Sequence, residues 1–428
     1  MLKVLKINFI VLGAVFILSK PLPAAEVFDW RECVAEAAKN HPDLIAAQAE
    51  TRQSEAAKKI TASQLLPQVD ASLSASRSKT VAGDGENSSG GESNSYSYGV
   101  SGTQLIFDGT KTLQEVKAAS EDINASRQNF KYISVTVRYE LRSAFISLLK
   151  AQERLKITRE IYDIRRSNLE LITLRYESGL EHKGALLTAE ADLADAQYQI
   201  SQANREMEVA QRKLNKEMGR RQFIPLEVKG VFTVSDEAKE KPDFESLSQN
   251  NPSLLKIIAQ KNSAEFSLKS AYADFSPSLS GSAGAGKSGS RWEPKGDQWN
   301  IGLALTMPIF EGGLRVAQVS KAQAYLSQLK ENERSTRDSI VLVLEEGWAA
   351  LQDALENVRV QKKQLIATEE RSKIAQAEYA VGFITFDNWT IIEDNLVQQK
   401  STYLNAQAAL LLAEAYWIQA KGETLEYV

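Results

Sequence analysis

The chain has a single cysteine and two histidines in 428 residues. Cys33 has no partner within its own chain, so an internal disulfide framework is excluded. It falls inside an expected helix, not at a processing site, which leaves no cysteine for lipid attachment. His41 and His182 stand far apart. There is no Gly-x-Ser-x-Gly, no phosphate loop and no cysteine pair, so the chain reads as a non-enzyme without cofactor or metal. A net charge of -4 gives no footprint for nucleic acid. Beyond Ala25 no apolar run is long enough for a membrane helix, and the remaining way to cross a bilayer is a closed β-barrel.

Proline and glycine are missing from Thr110 to Tyr176. Small and apolar residues recur there in steps of three and four, among them Val137, Leu141, Ala144, Leu148, Ala151 and Leu155. This is a heptad seam, and it predicts an unbroken helix roughly 100 Å long. A second such stretch runs from Leu314 to Tyr379, with Ile340, Leu344, Gly347, Leu351, Ala354 and Val358 on its seam. The two seams align at a constant offset of about 203 residues, which marks an internal repeat.

Residues 1–25 read as a signal peptide: Lys3 and Lys6, the apolar run Ile7 to Leu18, then small residues ending at Ala25. Residues 26–219 form the first repeat. A helix capped by Asp29 runs from about Trp30 to Leu65, with a break expected at His41-Pro42. A β-hairpin covers 67–107, a long helix 110–178 and a return helix 185–218. Residues 220–242, with Pro225 and Gly230, read as a connecting segment outside the helical wall. The second repeat, 243–428, has its hairpin at 277–309, its long helix at 314–381 and its return helix at 387–421.

Both hairpins alternate with period two. Val69, Ala71 and Leu73 are interleaved with Asp70, Ser72 and Ser74; Ile301, Leu303 and Leu305 are interleaved with Gly302, Ala304 and Thr306. One apolar and one small, Ser-rich face fit a membrane strand of roughly 9–11 residues beside a wet lumen. Tyr96, Tyr98, Trp292 and Trp299 lie where an aromatic girdle would sit. Matched junctions join strand to helix, with Phe107 and Gly109 in the first repeat and Phe310, Gly312 and Gly313 in the second. Each long helix ends in Tyr-x-x-Gly, at Tyr176–Gly179 and Tyr379–Gly382.

This ordered set, occurring twice, resembles the outer membrane efflux protein family, the TolC-like channels. The likeness also rests on Leu66-Pro67 and Ser276-Pro277 before the first strand of each hairpin. It covers nearly the whole mature chain. The fold class is then mainly α with a membrane β-barrel portion. The resemblance implies a homotrimer in which each subunit lends four strands to a twelve-stranded barrel in outer-membrane lipid, continuous with a helical tunnel in the periplasm. It implies as partners a periplasmic adaptor protein and an inner-membrane transporter, in drug or metal efflux or in type I secretion. By position it marks Arg175, Tyr176, Gly179, Tyr379, Gly382 and Thr385 as gate or docking residues, with His182 and Asp387 beside them. Many family members carry Asp just past the tip glycine; here Ala185 and Asn388 stand there, which argues against a gate held by acid–base locks. His182 reads as a solvated loop residue. The alternative is a soluble periplasmic coiled-coil scaffold, which would share the heptads but need no amphipathic hairpins.

Overall fold

The computed structural model describes residues 26–80, 91–232 and 241–425. The signal segment, most of the first hairpin loop and residues 233–240 lie outside the described residues.

The first repeat opens with β1 (Glu26–Phe28), α1 (Trp30–Asn40) and α2 (Pro42–Ser63). Asp29 and Glu32 form a reciprocal capping box that starts α1. The hairpin strands are β2 (Gln68–Thr80) and β3 (Gly91–Phe107), longer than the spacing suggested. Then come α3 (Lys111–Glu177), α4 (Lys183–Glu217) and β4 (Leu226–Val228). The second repeat holds α5 (Phe244–Gln249), α6 (Pro252–Ala273), β5 (Ser278–Gly289), β6 (Gly296–Thr306), α7 (Leu314–Ala380) and α8 (Phe386–Ala420).

Lengths match across the repeats. α3 and α7 have 67 residues each, α4 and α8 have 35, and α2 and α6 have 22. At 1.5 Å per residue the long helices span roughly 100 Å. α3 packs against α2 and α6 over one half of its length and against α4 and α8 over the other. Pairs of short helices thus stand beside single long ones in a wall of even height.

The main core sits midway along α3, where Val137, Leu141, Ala144 and Leu148 meet Ala37, Leu214 and Leu411. Cys33 belongs to this core and is fully buried. Burial first, then Glu36, Asp29 and Glu32, pushes its thiol up to about 12. The segment after α4 is more than a connector. Its strand β4 pairs in parallel with β1, and Leu226 and Val228 are buried in the same core. Gln152 of α3 holds β4 through both backbone groups of Val228.

The other sheet is an antiparallel meander in the order β2-β3-β5-β6. Its register places Leu73, Tyr98, Lys287 and Asp297 side by side, and Ala71, Val100, Ala285 and Trp299 in the row below. The alternation therefore runs unbroken across four strands and gives one apolar face. That face is bare: Val69, Leu73, Trp299, Ile301, Leu303 and Leu305 are each at least two-thirds exposed. The opposite face is hydroxyl and glycine. Ser74 bonds Ser97 and Ser78 bonds Ser93 across the first hairpin.

Candidate functional site: the helix-turn tip and the strand-to-helix junction

At the end far from the sheet, α3 turns into α4 and α7 into α8. Gly179 and Gly382 cap the two rods with φ of 73° and 81°, a conformation that favours glycine. The residues after them begin the return helices earlier than periodicity indicates. His182 is the N-cap of α4: its Nδ1 accepts from the backbone N–H of Ala185 at 3.1 Å. It is exposed, as expected, but it has a structural task that a loop residue lacks. Thr385 caps α8 by accepting from the N–H of Asn388 at 3.4 Å. Asp387 lies exposed in the first turn of α8, where a carboxylate suits the helix dipole.

The two tip tyrosines differ. Tyr176 is exposed. Tyr379 is 1% exposed and stacks on Trp389 with ring centroids 4.6 Å apart. Its hydroxyl donates to Glu181 at 2.7 Å, in the turn between α3 and α4. Arg175, on the last turn of α3, lies over its ring at 4.7 Å and donates to its carbonyl at 3.4 Å. Burial, then Glu181, pushes the Tyr379 hydroxyl above the ordinary tyrosine range. The second rod is thereby tied to the first turn. Around this link Ile172, Ala185, Ala189, Ala375, Phe386 and Trp389 form a tip core. Val381, Leu180 and Phe383 remain at least two-thirds exposed beyond it.

Acid–base pairs do occur, several turns further in from the tip glycines. Arg165 of α3 is paired with Asp192 of α4 at 3.6 Å and with Asp394 of α8. Lys400 of α8 reaches Glu160 of α3 at 2.5 Å. Burial raises the Asp192 carboxyl above its ordinary value, against the pull of Arg165. The charges omitted at the tip glycines are supplied deeper in the helices, where residues distant in sequence converge on a cavity of about 420 Å³. Heptad position alone does not reveal such pairing.

At the sheet end, Phe107 closes β3 after a bulge at Leu105, and Phe310 is 87% exposed. Gly109, Gly312 and Gly313 all have positive φ, and so does Thr110, which occupies the place of Gly313. Asp108 compensates by accepting from the N–H of Thr112 at 2.8 Å. Asp274 at the end of α6 binds Lys111 at 2.6 Å and Arg315 at 2.8 Å, joining the starts of both rods. Sequence reasoning found the junction glycines and missed this ion-pair hub.

Midway along the wall, sequence reasoning also missed two fasteners at matching places in the repeats. His41 caps α2, its Nδ1 accepting from the N–H of Asp43 at 3.3 Å. The ring proton therefore sits on Nε2, which faces buried Glu217 at 3.6 Å. In the second repeat Asn251 caps α6 by accepting from Ser253 at 2.9 Å and donates to the carbonyl of Ala420 at 3.2 Å. A capping residue before Pro42 and before Pro252 was the available signal.

Among the described residues no helix is long and apolar enough to cross a membrane. The model of the family described as outer membrane efflux protein matches residues 33–220 and 244–423. The outer membrane efflux protein BepC of Brucella suis biovar 1 is 22% identical over 403 residues, covering 92% of this chain and 82% of BepC. The outer membrane protein TolC of Escherichia coli K12 is 23% identical over 378 residues, covering 82% of this chain and 73% of TolC. The open-state structure of the MtrE outer membrane channel of Neisseria gonorrhoeae superposes with a TM-score of 0.79 at 18% identity. It covers 92% of this chain and 89% of that one.

Proposed function

Since the chain belongs to the outer membrane efflux protein family, we propose that it is the passive exit duct of a tripartite efflux pump or type I secretion system, working as a homotrimer. Its place is the outer membrane and its general role is that of an efflux channel. The finer reading is carried by one observation: a four-stranded sheet with a bare apolar face and two open edges, β2 and β6. Lipid accepts the face, but not the unpaired backbone groups at the edges. Three copies related by rotation close the ring as a twelve-stranded barrel.

The helical wall supports the same closure. α3 has partners on both sides, whereas α7 packs mainly against α6 and α8, with α5 beside it and α3 meeting it at the tip. It leaves Leu314, Val316, Tyr325, Leu342, Val360 and Ile366 exposed. Continuing the order of the wall puts α2 and α4 of the next copy beside α7, with Ile60, Leu187 and Val209 exposed to meet it.

At the tip, Leu180, Val381 and Phe383 offer an apolar rim to the adaptor, while Arg175, Glu181 and Tyr379 hold the two helical hairpins together as a closable gate. Tyr176, Gly179, His182, Gly382, Thr385 and Asp387 shape the turns that present this rim. Energy comes from the inner-membrane transporter, and the duct supplies the path. Conductance steps in a planar bilayer, together with a trimeric mass in detergent, test the duct. Recovery in the soluble periplasm without detergent would instead support a coiled-coil scaffold. Gly382→Pro tests the tip: Gly382 has φ 81° and donates its N–H to Tyr379, and proline can do neither. Pump-dependent export should fall in that variant; unchanged export would remove the tip from the mechanism.

A further inference from the structure

The sheet carries an asymmetry of charge that its apolar pattern does not require. The register sorts the described residues of β2, β3, β5 and β6, the bulged Ile106 aside, onto one of two faces. Arg77, Lys79, Glu92, Lys287 and Asp297 all fall on the apolar side, Lys287 and Asp297 in the row of Tyr98 and the other three beyond Tyr96. On the opposite side, Asp70 is the only acidic or basic residue among the described strand positions. Its neighbours across the strands are Ser101, Gly284 and Asn300. Asp70 is exposed and has no ion-pair partner among the described residues. It stands two residues into β2, at the end of the sheet that faces the helices.

We infer that Asp70 sets the charge preference of the barrel section of the conduit. This rests on the duct reading above, in which the hydroxyl face lines the bore. Serine and glycine side chains are short, so they narrow the bore little and leave its wall neutral. Three copies of Asp70 then form a ring of like charge where the helical tunnel opens into the barrel. Rings of carboxylates favour cations over anions. At roughly 10 Å from the axis, three charges favour cations about three-fold at physiological ionic strength, and more in dilute salt where screening is weaker. Cargo with cationic or neutral groups passes this mouth more readily than anionic cargo.

The test is the reversal potential of the full-length protein in a planar bilayer under a KCl gradient. Wild type should show cation preference that grows as the salt is diluted. Asp70→Asn should bring the potassium-to-chloride permeability ratio to near one, and Asp70→Lys should invert it. Should Asp70 variants fail to insert, Ser101→Lys, facing Asp70 across the strand pair, should cancel the preference in its place. Conductance steps with the same ratio in wild type and in every variant would overturn the inference and leave the duct standing. An absence of steps in wild type would remove the duct, and this inference with it.

Discussion

At the first tip the turn tyrosine, Tyr176, looks into solvent; at the second, Tyr379 lies between Arg175 and Trp389 with its hydroxyl on Glu181. Midway along the wall, a histidine facing a buried carboxylate does in one repeat what an asparagine on a backbone carbonyl does in the other. The trace is duplicated, but the fastenings are not. Duplication fixes which helices run beside each other. The residues that differ between the halves decide where they are tied, and the ties of the second tip reach across to the first.

The comparison breaks most severely at the glycines. A Cβ on Gly219 would enter the backbone of Asn40, whereas one on Gly179 meets open space, although both have positive φ. Gly219→Ala should cost more than about 4 kcal/mol, and Gly179→Ala about 1 kcal/mol. Thermal unfolding of the purified protein, followed by circular dichroism, separates them.

Next come the tyrosines. Tyr379→Ala leaves a hole beside Trp389 and strands Glu181, for about 3–4 kcal/mol of local stability. Tyr176→Ala should stay within about 0.5 kcal/mol. Hydrogen exchange at the ends of α3 and α7 reads both, and equal effects would mean that the tips are equivalent after all.

The histidine fastener should give a smaller difference and a pH signature. His41→Ala loses a cap and a partner for Glu217, about 2–3 kcal/mol, against about 1–2 kcal/mol for Asn251→Ala. The facing imidazole holds the Glu217 carboxyl below its ordinary value of 4.5; burial opposes this and Lys216 assists it. A depressed carboxyl stabilises the fold above its unfolded value, and that contribution is lost as pH falls through the native one. The unfolding midpoint of wild type should therefore hold down to about pH 5 and then drop. Glu217→Gln should flatten that acid limb.

The smallest effect sharpens the comparison in the other direction. Thr110 adopts the left-handed conformation that Gly313 adopts in the second repeat. Thr110→Gly should relieve strain and stabilise by about 1 kcal/mol, visible as a higher midpoint.

Rods and hairpins were legible because their periods, seven and two, persist over many residues. The lipid face was legible for the same reason: Ile301, Leu303 and Leu305 alternate without a break. Tip positions followed from the turn motif, but not their differences. Whether a Tyr-x-x-Gly tyrosine is buried depends on Arg175 and Trp389, which belong to other helices. β1 and β4 were invisible: each has three residues, and they find each other across the whole first repeat. The ion pair of Arg165 with Asp394 is likewise a product of assembly, since the helices supplying it share no local pattern.

Equal helix lengths in the two halves turn the molecule into a ruler. Removing one heptad from α3 alone would shear its tip away from that of α7 by roughly 10 Å. The same cut made in α3, α4, α7 and α8 together would shorten the ruler and keep its end square. A change in reach thus demands synchronous edits at four places. The span between the membrane and the point where the rods end is therefore a quantity the chain holds fixed.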